Sequence, residues 1–354
     1  MRLSSVEVIP YALPFKEPYV TARGVLQRRE MVLLRVRDED GVLGLGEAVP
    51  LSLRGGATLT QVVQELEGWA ETQATEGLSA PARCAVETAL MDLRGRRAGS
   101  APASAPTEAV PCNATLVAGA PEEVAAQALG WAEDGFATFK LKLGAETAKE
   151  SDMRTFLRSR DFETVRVARE AVGVEARIRI DANEAWDLET AKRALAELEP
   201  LGIELAEQPV AGLEAMAELA ASTSIPLAAD ESVATLEEAE RAAALGACEF
   251  TGIKLSKVGG PEAALAIADV LPAYVTSALD GPVGIAAGAQ VALSLAETDR
   301  PERLHLAHGL ATQRLFAETI ASVECELRDG MLHLPPGPGL GVEIDEDSLQ
   351  AHRI

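Results

Sequence analysis

The amino-acid sequence predicts an α/β protein: a (β/α)8 barrel with an α+β capping domain in front of it. Three observations carry that expectation. Beyond about residue 107, eight short apolar strands alternate with amphipathic helices, the texture of a parallel sheet that closes on itself. Ahead of residue 107 the order is strand, hairpin and two helices, which reads as a separate α+β unit. The length, 354 residues, accommodates a barrel of ordinary size and one smaller domain.

Taken in order, Leu3–Leu13 alternates loosely and reads as a strand, and a polar, glycine-containing segment follows from Lys16 to Glu30. Met31–Arg37 and Val42–Ala48, joined by an Asp-Glu-Asp-Gly turn, read as a hairpin. Helical patterns cover Leu59–Thr75 and Ala80–Ala98, and a Ser/Ala/Pro stretch from Gly99 to Thr107 reads as a linker. The capping domain is therefore expected at residues 1–107 and the barrel at 108–324. Barrel strands are expected at Val110–Val117, Phe136–Leu143, Ala176–Asp181, Ile203–Glu207, Leu227–Asp230, Phe250–Leu255, Tyr274–Ala278 and Leu304–Ala307. Helices are expected between them, among others at Pro121–Asp134, Leu188–Leu198, Leu236–Leu245 and Glu262–Val270. The connection Gly144–Phe162 is long and charged and reads as a solvated extension of one loop and helix. The tail, 325–354, is expected to return to the capping domain.

Composition narrows the class of function. Hydrophobic residues make up 47% but aromatic residues only 4%, so the core must be built from Ala, Leu and Val. A net charge of −23 lacks the basic footprint of a nucleic-acid binder and disfavours anionic membranes. The four cysteines, Cys84, Cys112, Cys248 and Cys325, are far apart and make no CxxC pair, against zinc ribbons and a disulfide framework. The N-terminus has no apolar stretch of signal-peptide length, and no membrane span is expected. A soluble cytoplasmic enzyme acting on a small molecule, alone or as a homo-oligomer, is the expectation.

In such a barrel the chemistry sits at the C-terminal ends of the strands. The second strand carries Lys140 and Lys142, the third ends in Arg179, Asp181 and Asn183, and the fourth in Glu207. The fifth ends in Asp230 and Glu231, the sixth carries Lys254 with Lys257 beyond it, and the seventh ends in Ser277. Residues two apart on a strand share a face, so Asp181, Glu207 and Asp230 are expected side by side at one rim. Three anions there repel one another, and a hard divalent cation relieves the repulsion; all-oxygen ligation suits Mg²⁺, with Mn²⁺ as a substitute. Lys142 and Lys254 flank the acids from either side, so a carboxylate substrate between them could lose its α-proton to a neutral lysine. Lys140, a like charge, favours the neutral amine at Lys142. Taken singly each group has an ordinary explanation, such as a solvated strand pair or a helix cap. Their joint arrangement is far more specific.

These motifs, Lys140-Leu-Lys142, Asp181-Ala-Asn183-Glu-Ala-Trp186, Glu207-Gln-Pro209, Asp230-Glu-Ser232 and Lys254-Leu-Ser-Lys257-Val-Gly-Gly260, resemble the enolase superfamily in its muconate-lactonizing subgroup. The resemblance spans essentially the whole chain. It implies an enolase-like modified barrel, capped by the N-terminal domain and a C-terminal segment. It also implies Mg²⁺ ligands at Asp181, Glu207 and Asp230, reactive lysines at Lys142 and Lys254 on opposite faces of the substrate, and Asn183 and Glu231 supporting them from behind.

Four further features narrow the reaction within that resemblance. No histidine lies where a mandelate-racemase type would place its base, and His305 and His308 read as structural. The last strand and loop, HLAHGLATQRLF, lack the acidic pair of dipeptide epimerases. The seventh strand and its Gly/Ala-rich continuation, VTSALDGPVGIAAGAQVAL, look like those of o-succinylbenzoate synthases, with small residues that would let a succinyl arm reach helix N–H groups. The GLATQRLFA segment is similar to the same enzymes. The expected activity is therefore a hydro-lyase step of menaquinone biosynthesis, with Arg179 and Ser277 as candidate substrate contacts. The segment Lys16–Glu30 and the loop Leu51–Thr58 are expected to cover the site. An N-succinylamino acid racemase is the alternative, then a muconate or chloromuconate cycloisomerase. A Schiff-base aldolase barrel, which borohydride would trap, is the alternative of a different class.

Overall fold

The structure, a computed structural model, describes residues 2–21, 24–52, 55–103, 109–117, 119–144, 156–296 and 306–354. In the N-terminal part, β1 (Leu3–Thr21) and β2 (Gly24–Asp38) make a long antiparallel hairpin, and β3 (Leu43–Ala48) joins β2. Alternation gives this sheet two buried faces. Val32, Leu34 and Val36 pack on Val62, Leu66 and Trp69 of α1 (Leu59–Thr72) and on Leu93 of α2 (Ala80–Ala98). Met31, Leu33 and Leu45 face the core shared with the barrel, each worth roughly 1.5–3 kcal/mol of burial. Helix α2 lies close against β3 because Gly44 and Gly46 have no side chain. A Cβ at Gly46 would stand 2.0 Å from the Ala85 carbonyl oxygen, and one at Gly44 2.3 Å from that of Ala89.

The segment Lys16–Glu30, read as polar cover, is the far end of the β1–β2 hairpin; residues 22–23 at its tip lie outside the described residues. Backbone pairing is satisfied along nearly its whole length, with a register shift between Pro14 and Tyr19. Phe15 forms a bridge to Phe316, their rings stacked at 5.0 Å, so the hairpin leans on the last barrel segment.

The second part alternates strands and helices: β4 (Ala109–Pro111), β5 (Ala114–Leu116), α3 (Pro121–Glu133), β6 (Thr138–Lys142), α4 (Arg160–Val172), β7 (Arg177–Asp181), α5 (Leu188–Leu198), β8 (Ile203–Glu207), α6 (Leu213–Ala220), β9 (Leu227–Ala229), α7 (Leu236–Leu245), β10 (Phe250–Ile253), α8 (Leu255–Val258), α9 (Pro261–Val270), β11 (Ala273–Val275) and α10 (Pro282–Ala296). Strands β5 to β11 form one parallel sheet in sequence order. The expected strand Val110–Val117 is broken at Cys112–Asn113, because β4 pairs outside the barrel and β5 pairs with β6. The strand expected at Phe250–Leu255 stops at Ile253, and Lys254 caps the one-turn α8. Most of the long Gly144–Phe162 connection, 145–155, lies outside the described residues, as do 104–108 of the linker and 53–54 of the Leu51–Thr58 loop.

Among the described residues, closure of the barrel runs through His308 and Gly309. His308 N–H donates to Pro111 and Asn113 N–H to His308, while Gly309 N–H donates to Val275 and Ser277 N–H to Gly309. These bridges tie β11 to the segment before β5. The eighth strand thus falls at His308–Gly309, downstream of the expected Leu304–Ala307, of which 304–305 and with them His305 lie outside the described residues. Gly309 is needed there: a Cβ would come within 2.8 Å of Thr276 Oγ1.

The C-terminal strands β12 (Ala321–Val323), β13 (Glu326–Arg328), β14 (Met331–His333) and β15 (Glu343–Ile344) lead to α11 (Glu346–His352). Strand β14 pairs with β13 and β4, and the tail runs back to β1, where Arg353 bridges Tyr11 and Ile354 N–H donates to Pro10. Among the described residues no helix is long and apolar enough to cross a membrane.

The closing residue His308 is 6% exposed and its Nδ1 accepts from Val275 N–H at 3.0 Å. Burial, reinforced by the Arg179 guanidinium, pushes its pKa down to about 3, so it is neutral in the fold. The unfolded chain binds this proton below about pH 6.5, so stability falls with pH from there towards 3, by about 2 kcal/mol between pH 7 and pH 5. Urea unfolding of His308→Asn against the parent at the two pH values checks this; an unchanged pH slope would contradict it.

Candidate active site

Alternation along the barrel strands sorts their side chains. Ile178 and Ile180 of β7 and Ala206 of β8 face the helix layer, which sends Arg179, Asp181, Leu205 and Glu207 to the lumen. Leu205, Ala228, Tyr274 and Leu306 fill the apolar floor. At the rim, Asp181 and Asp230 are 0% and Glu207 1% exposed, and four lysines neutralise them.

Lys140 Nζ donates to both oxygens of Glu207 at 2.6 Å and lies 2.9 Å from Asp181 Oδ2. Lys142 pairs with the same Asp181 oxygen and donates to Asn183 Oδ1 at 3.1 Å. Asn183 Nδ2 in turn donates to Glu231 Oε1 at 3.1 Å. Beyond the acids, Lys254 pairs with Asp230 Oδ2, and Lys257 donates to Asp230 Oδ1 at 2.9 Å. Lys142 and Lys254 therefore stand at opposite ends of the carboxylate row. Of the three, Lys142 is the most open: its side chain is 28% exposed, against 12% for Lys254 and 7% for Lys140.

Electrostatics follow from this packing. Burial disfavours the Lys140 ammonium, but Asp181, Glu207 and Asp230 outweigh it and raise its pKa, so Lys140 is a fixed cation. Burial would raise the Asp181 carboxyl, yet Lys140 and Lys142 overcome it and hold it well below the usual carboxylate range. Glu207 goes the other way: burial first, then repulsion from Asp181, push it up, only partly offset by Lys140.

Local backbone explains why these groups point where they do. Asn183, Glu184 and Gln208 have φ of 47°, 65° and 40°. Such strain at the ends of β7 and β8 persists only where the surroundings over-determine it. The Gln208 side chain supplies much of that: its Oε1 accepts from Asp230 and Ser232 N–H, and its Nε2 donates to Val210 O and Ser232 Oγ. Gln208 thus fixes the turn that presents Asp230.

Two sequence-predicted contacts stand elsewhere. Arg179 is fully buried below the rim, paired with Glu204, donating to Ala307 O at 2.7 Å and lying 5.0 Å from the Tyr274 ring centroid. The register shift between β7 and β8 creates that pairing, because Glu204 is the extra residue of the bulge. It is a charge of the barrel floor and not a substrate contact. Ser277 spends its hydroxyl inside its own turn, donating to Asp280 Oδ2 at 2.7 Å and accepting from Leu279 and Asp280 N–H. The helix N–H groups expected to meet a succinyl arm are also taken: the carboxylate of Glu47 accepts from Gly281 N–H at 2.7 Å and from Gly284 N–H.

One participant escaped the sequence reading. Tyr274 is 0% exposed and donates to Glu207 Oε2 at 2.5 Å. A lone tyrosine in an Ala-Tyr-Val strand reads as core; its only signal is an inward register position beneath an acid.

All-oxygen donors on adjacent strands are the chemistry a hard divalent cation takes, and Asp181, Glu207 and Asp230 fit it. With each acid drawn to a lysine, no three acidic, His or Cys groups are gathered round one point among the described residues. Tyr274→Phe, which removes a buried donor to a charged group, is expected to lower the unfolding free energy by about 2 kcal/mol. Urea denaturation measures it, and a loss under about 0.5 kcal/mol would mean that Glu207 does not depend on this hydroxyl.

Comparison with known proteins agrees with this architecture. Residues 123–348 match the family described as Enolase C-terminal domain-like, and residues 4–103 match the Mandelate racemase / muconate lactonizing enzyme, N-terminal domain. Muconate cycloisomerase 1 of Pseudomonas putida is 29% identical over 97% of this chain and 96% of its own length. The o-succinylbenzoate synthase of Thermobifida fusca (strain YX) is 37% identical over 59% of this chain and 61% of its own length. The crystal structure of the muconate lactonizing enzyme from Pseudomonas fluorescens, complexed with muconolactone, superposes with a TM-score of 0.84 at 29% identity, covering 99% of each chain. With both domains matched and the barrel rim built as described, the chain belongs to the enolase superfamily.

Proposed function

We propose that this protein is a Mg²⁺-dependent o-succinylbenzoate synthase, dehydrating a succinyl-hydroxycyclohexadiene carboxylate in menaquinone biosynthesis. The observation that carries the proton-abstraction chemistry is the placement of Lys142 and Lys254 at opposite ends of one buried carboxylate row. The dehydration in particular is favoured by the T. fusca relative, whose name states that activity.

Asp181, Glu207 and Asp230 would hold the metal. When bound it supplies positive charge to the substrate carboxylate as electrons move onto its oxygens. Lys142, as the neutral amine, takes the proton from the carbon next to the ring carboxylate, and the C–H electron pair forms an enediolate. Lys140, fixed as an ammonium by Glu207 and Asp181, stays charged throughout and keeps those two acids in place beside the reacting carbon. Collapse of the enediolate expels the hydroxyl on the same face, and the Lys142 ammonium returns its proton to it, so that water leaves and the ring becomes aromatic. Lys254 faces the substrate from the other side as a positive charge and moves no proton.

An N-succinylamino acid racemase is the second reading, because two lysines on two faces are also what a two-base racemisation needs. Lys142→Ala is expected to lower kcat for dehydration about 100- to 10,000-fold. Loss of diene absorbance with Mg²⁺ present measures this, and retained dehydration in the variant would sink the assignment. Lys254→Ala separates the readings. Dehydration tolerates loss of a group that moves no proton better than racemisation tolerates loss of one of its two bases, as read by optical rotation of N-succinyl amino acids.

A further inference from the structure

The seam between the capping domain and the barrel contains a buried acid that the reaction above does not use. Glu47, on β3, is 1% exposed. Its Oε2 accepts from the Tyr11 hydroxyl at 2.8 Å, and its Oε1 accepts from Gly281 N–H at 2.7 Å. Gly284 N–H also bonds the carboxylate. Gly281 precedes α10 and Gly284 lies in its first turn, so a carboxyl group of one domain caps a helix of the other. The glycines are there to admit it. A Cβ at Gly281 would lie 2.3 Å from the Tyr11 oxygen and 2.7 Å from Glu47 Oε2, and one at Gly284 2.6 Å from Glu47 Oε1.

Arg29, on the neighbouring strand β2, grips the same region. It is 8% exposed, and its Nη2 donates to Pro50 O at 2.9 Å and to Ala278 O at 3.1 Å. Two capping-domain residues thus hold both ends of the turn from Ser277 to Gly281. That turn is strained, with Leu279 at φ 68°. It leaves the C-terminal end of β11, the same barrel rim that carries Lys142, Asp181 and Asp230.

We propose that Glu47, assisted by Arg29, is a positioning residue that holds the Ser277–Gly281 turn as one wall of the substrate pocket. In that role it sets which substrate arms fit beside the lysines. The kinetic part of this role rests on the proton-abstraction reading above; the helix cap does not.

The test compares Glu47→Ala with Glu47→Gln in the full chain. Gln keeps an acceptor oxygen for both amides, and Ala does not. Burial, with Asp280 nearby, pushes the Glu47 carboxyl up to about 8, so a neutral amide is a close substitute at pH 7. Amide hydrogen exchange at Gly281 and Gly284 is expected to rise at least about tenfold in Glu47→Ala and to stay within about threefold of the parent in Glu47→Gln. KM for the dehydration substrate is expected to rise at least about fivefold in Glu47→Ala, with kcat changed under about threefold, and to recover in Glu47→Gln. Unchanged exchange at the two amides, a fall in kcat at constant KM, or a Glu47→Gln as impaired as Glu47→Ala would each overturn the role. Should the parent turn over no carboxylate substrate, the reading of its function fails while exchange still decides the cap. If Glu47→Ala does not fold, Arg29→Leu removes the bonds to Ala278 O and Pro50 O and leaves the Glu47 cap in place. It is expected to raise KM in the same direction, and an unchanged KM there overturns the proposal.

Discussion

Three carboxylates cannot be buried side by side without positive charge among them. Asp181, Glu207 and Asp230 lose their hydration at the ends of three adjacent strands, and each repels the other two. The rest of the barrel mouth is arranged around that constraint. Lys140 and Lys142 meet it from β6, and Lys254 and Lys257 from the far end of β10. Beneath the rim the same need continues into the floor, where Tyr274 donates to Glu207 and Arg179 stands over the tyrosine ring and pairs with Glu204. Buried polar groups in such a chain support one another only if every member finds a partner.

What distinguishes Lys142 from Lys140 is a step of two residues along one strand. The inner lysine is enclosed by carboxylate oxygens and stays charged, whereas the outer one shares a single acid oxygen and opens to the mouth. One lysine is thus a permanent charge, and the other is the group proposed above to exchange a proton. The barrel provides this division of labour through strand geometry, since inward positions at successive heights differ in depth and therefore in solvation.

The capping domain belongs to the same design. Its hairpin has both faces buried, one on its own helices and one on the barrel, so it cannot be regarded as an appended unit. Strained backbone collects at the rim, at Asn183, Glu184, Gln208 and Leu279, and contacts from elsewhere in the fold hold it there. Asn183 and Gln208 are held from within the barrel, by Lys142, Glu231 and the Asp230 turn. Leu279 is held across the seam, through Arg29 and Glu47. The pocket wall beside β11 is therefore a joint product of the two domains.

Much of this was legible in the sequence. Periodicity marked α2, α5, α7 and β8 at their observed bounds, because each carries its own apolar repeat and its own terminators, such as Asp187 ahead of α5 and Gly246 after α7. The acids and lysines could be placed at strand ends for the same local reason, since side-chain facing along a strand is set by counting. What counting could not reach were relations between segments far apart in the chain. A β-bulge turned Glu204 towards Arg179 and took that arginine out of the pocket, and no single strand records its neighbour's register. Closure through His308 and Gly309 depends on a glycine, because the space beside Thr276 admits no side chain there. Gly281 and Gly284, read as room for a substrate arm, make room for Glu47, which lies more than two hundred residues earlier. The sequence by itself determined the elements and the chemistry of their ends, which depend on near neighbours. Only the tertiary structure decided which polar groups satisfy one another and which are left to meet a substrate, because that is a competition among residues that folding alone brings together.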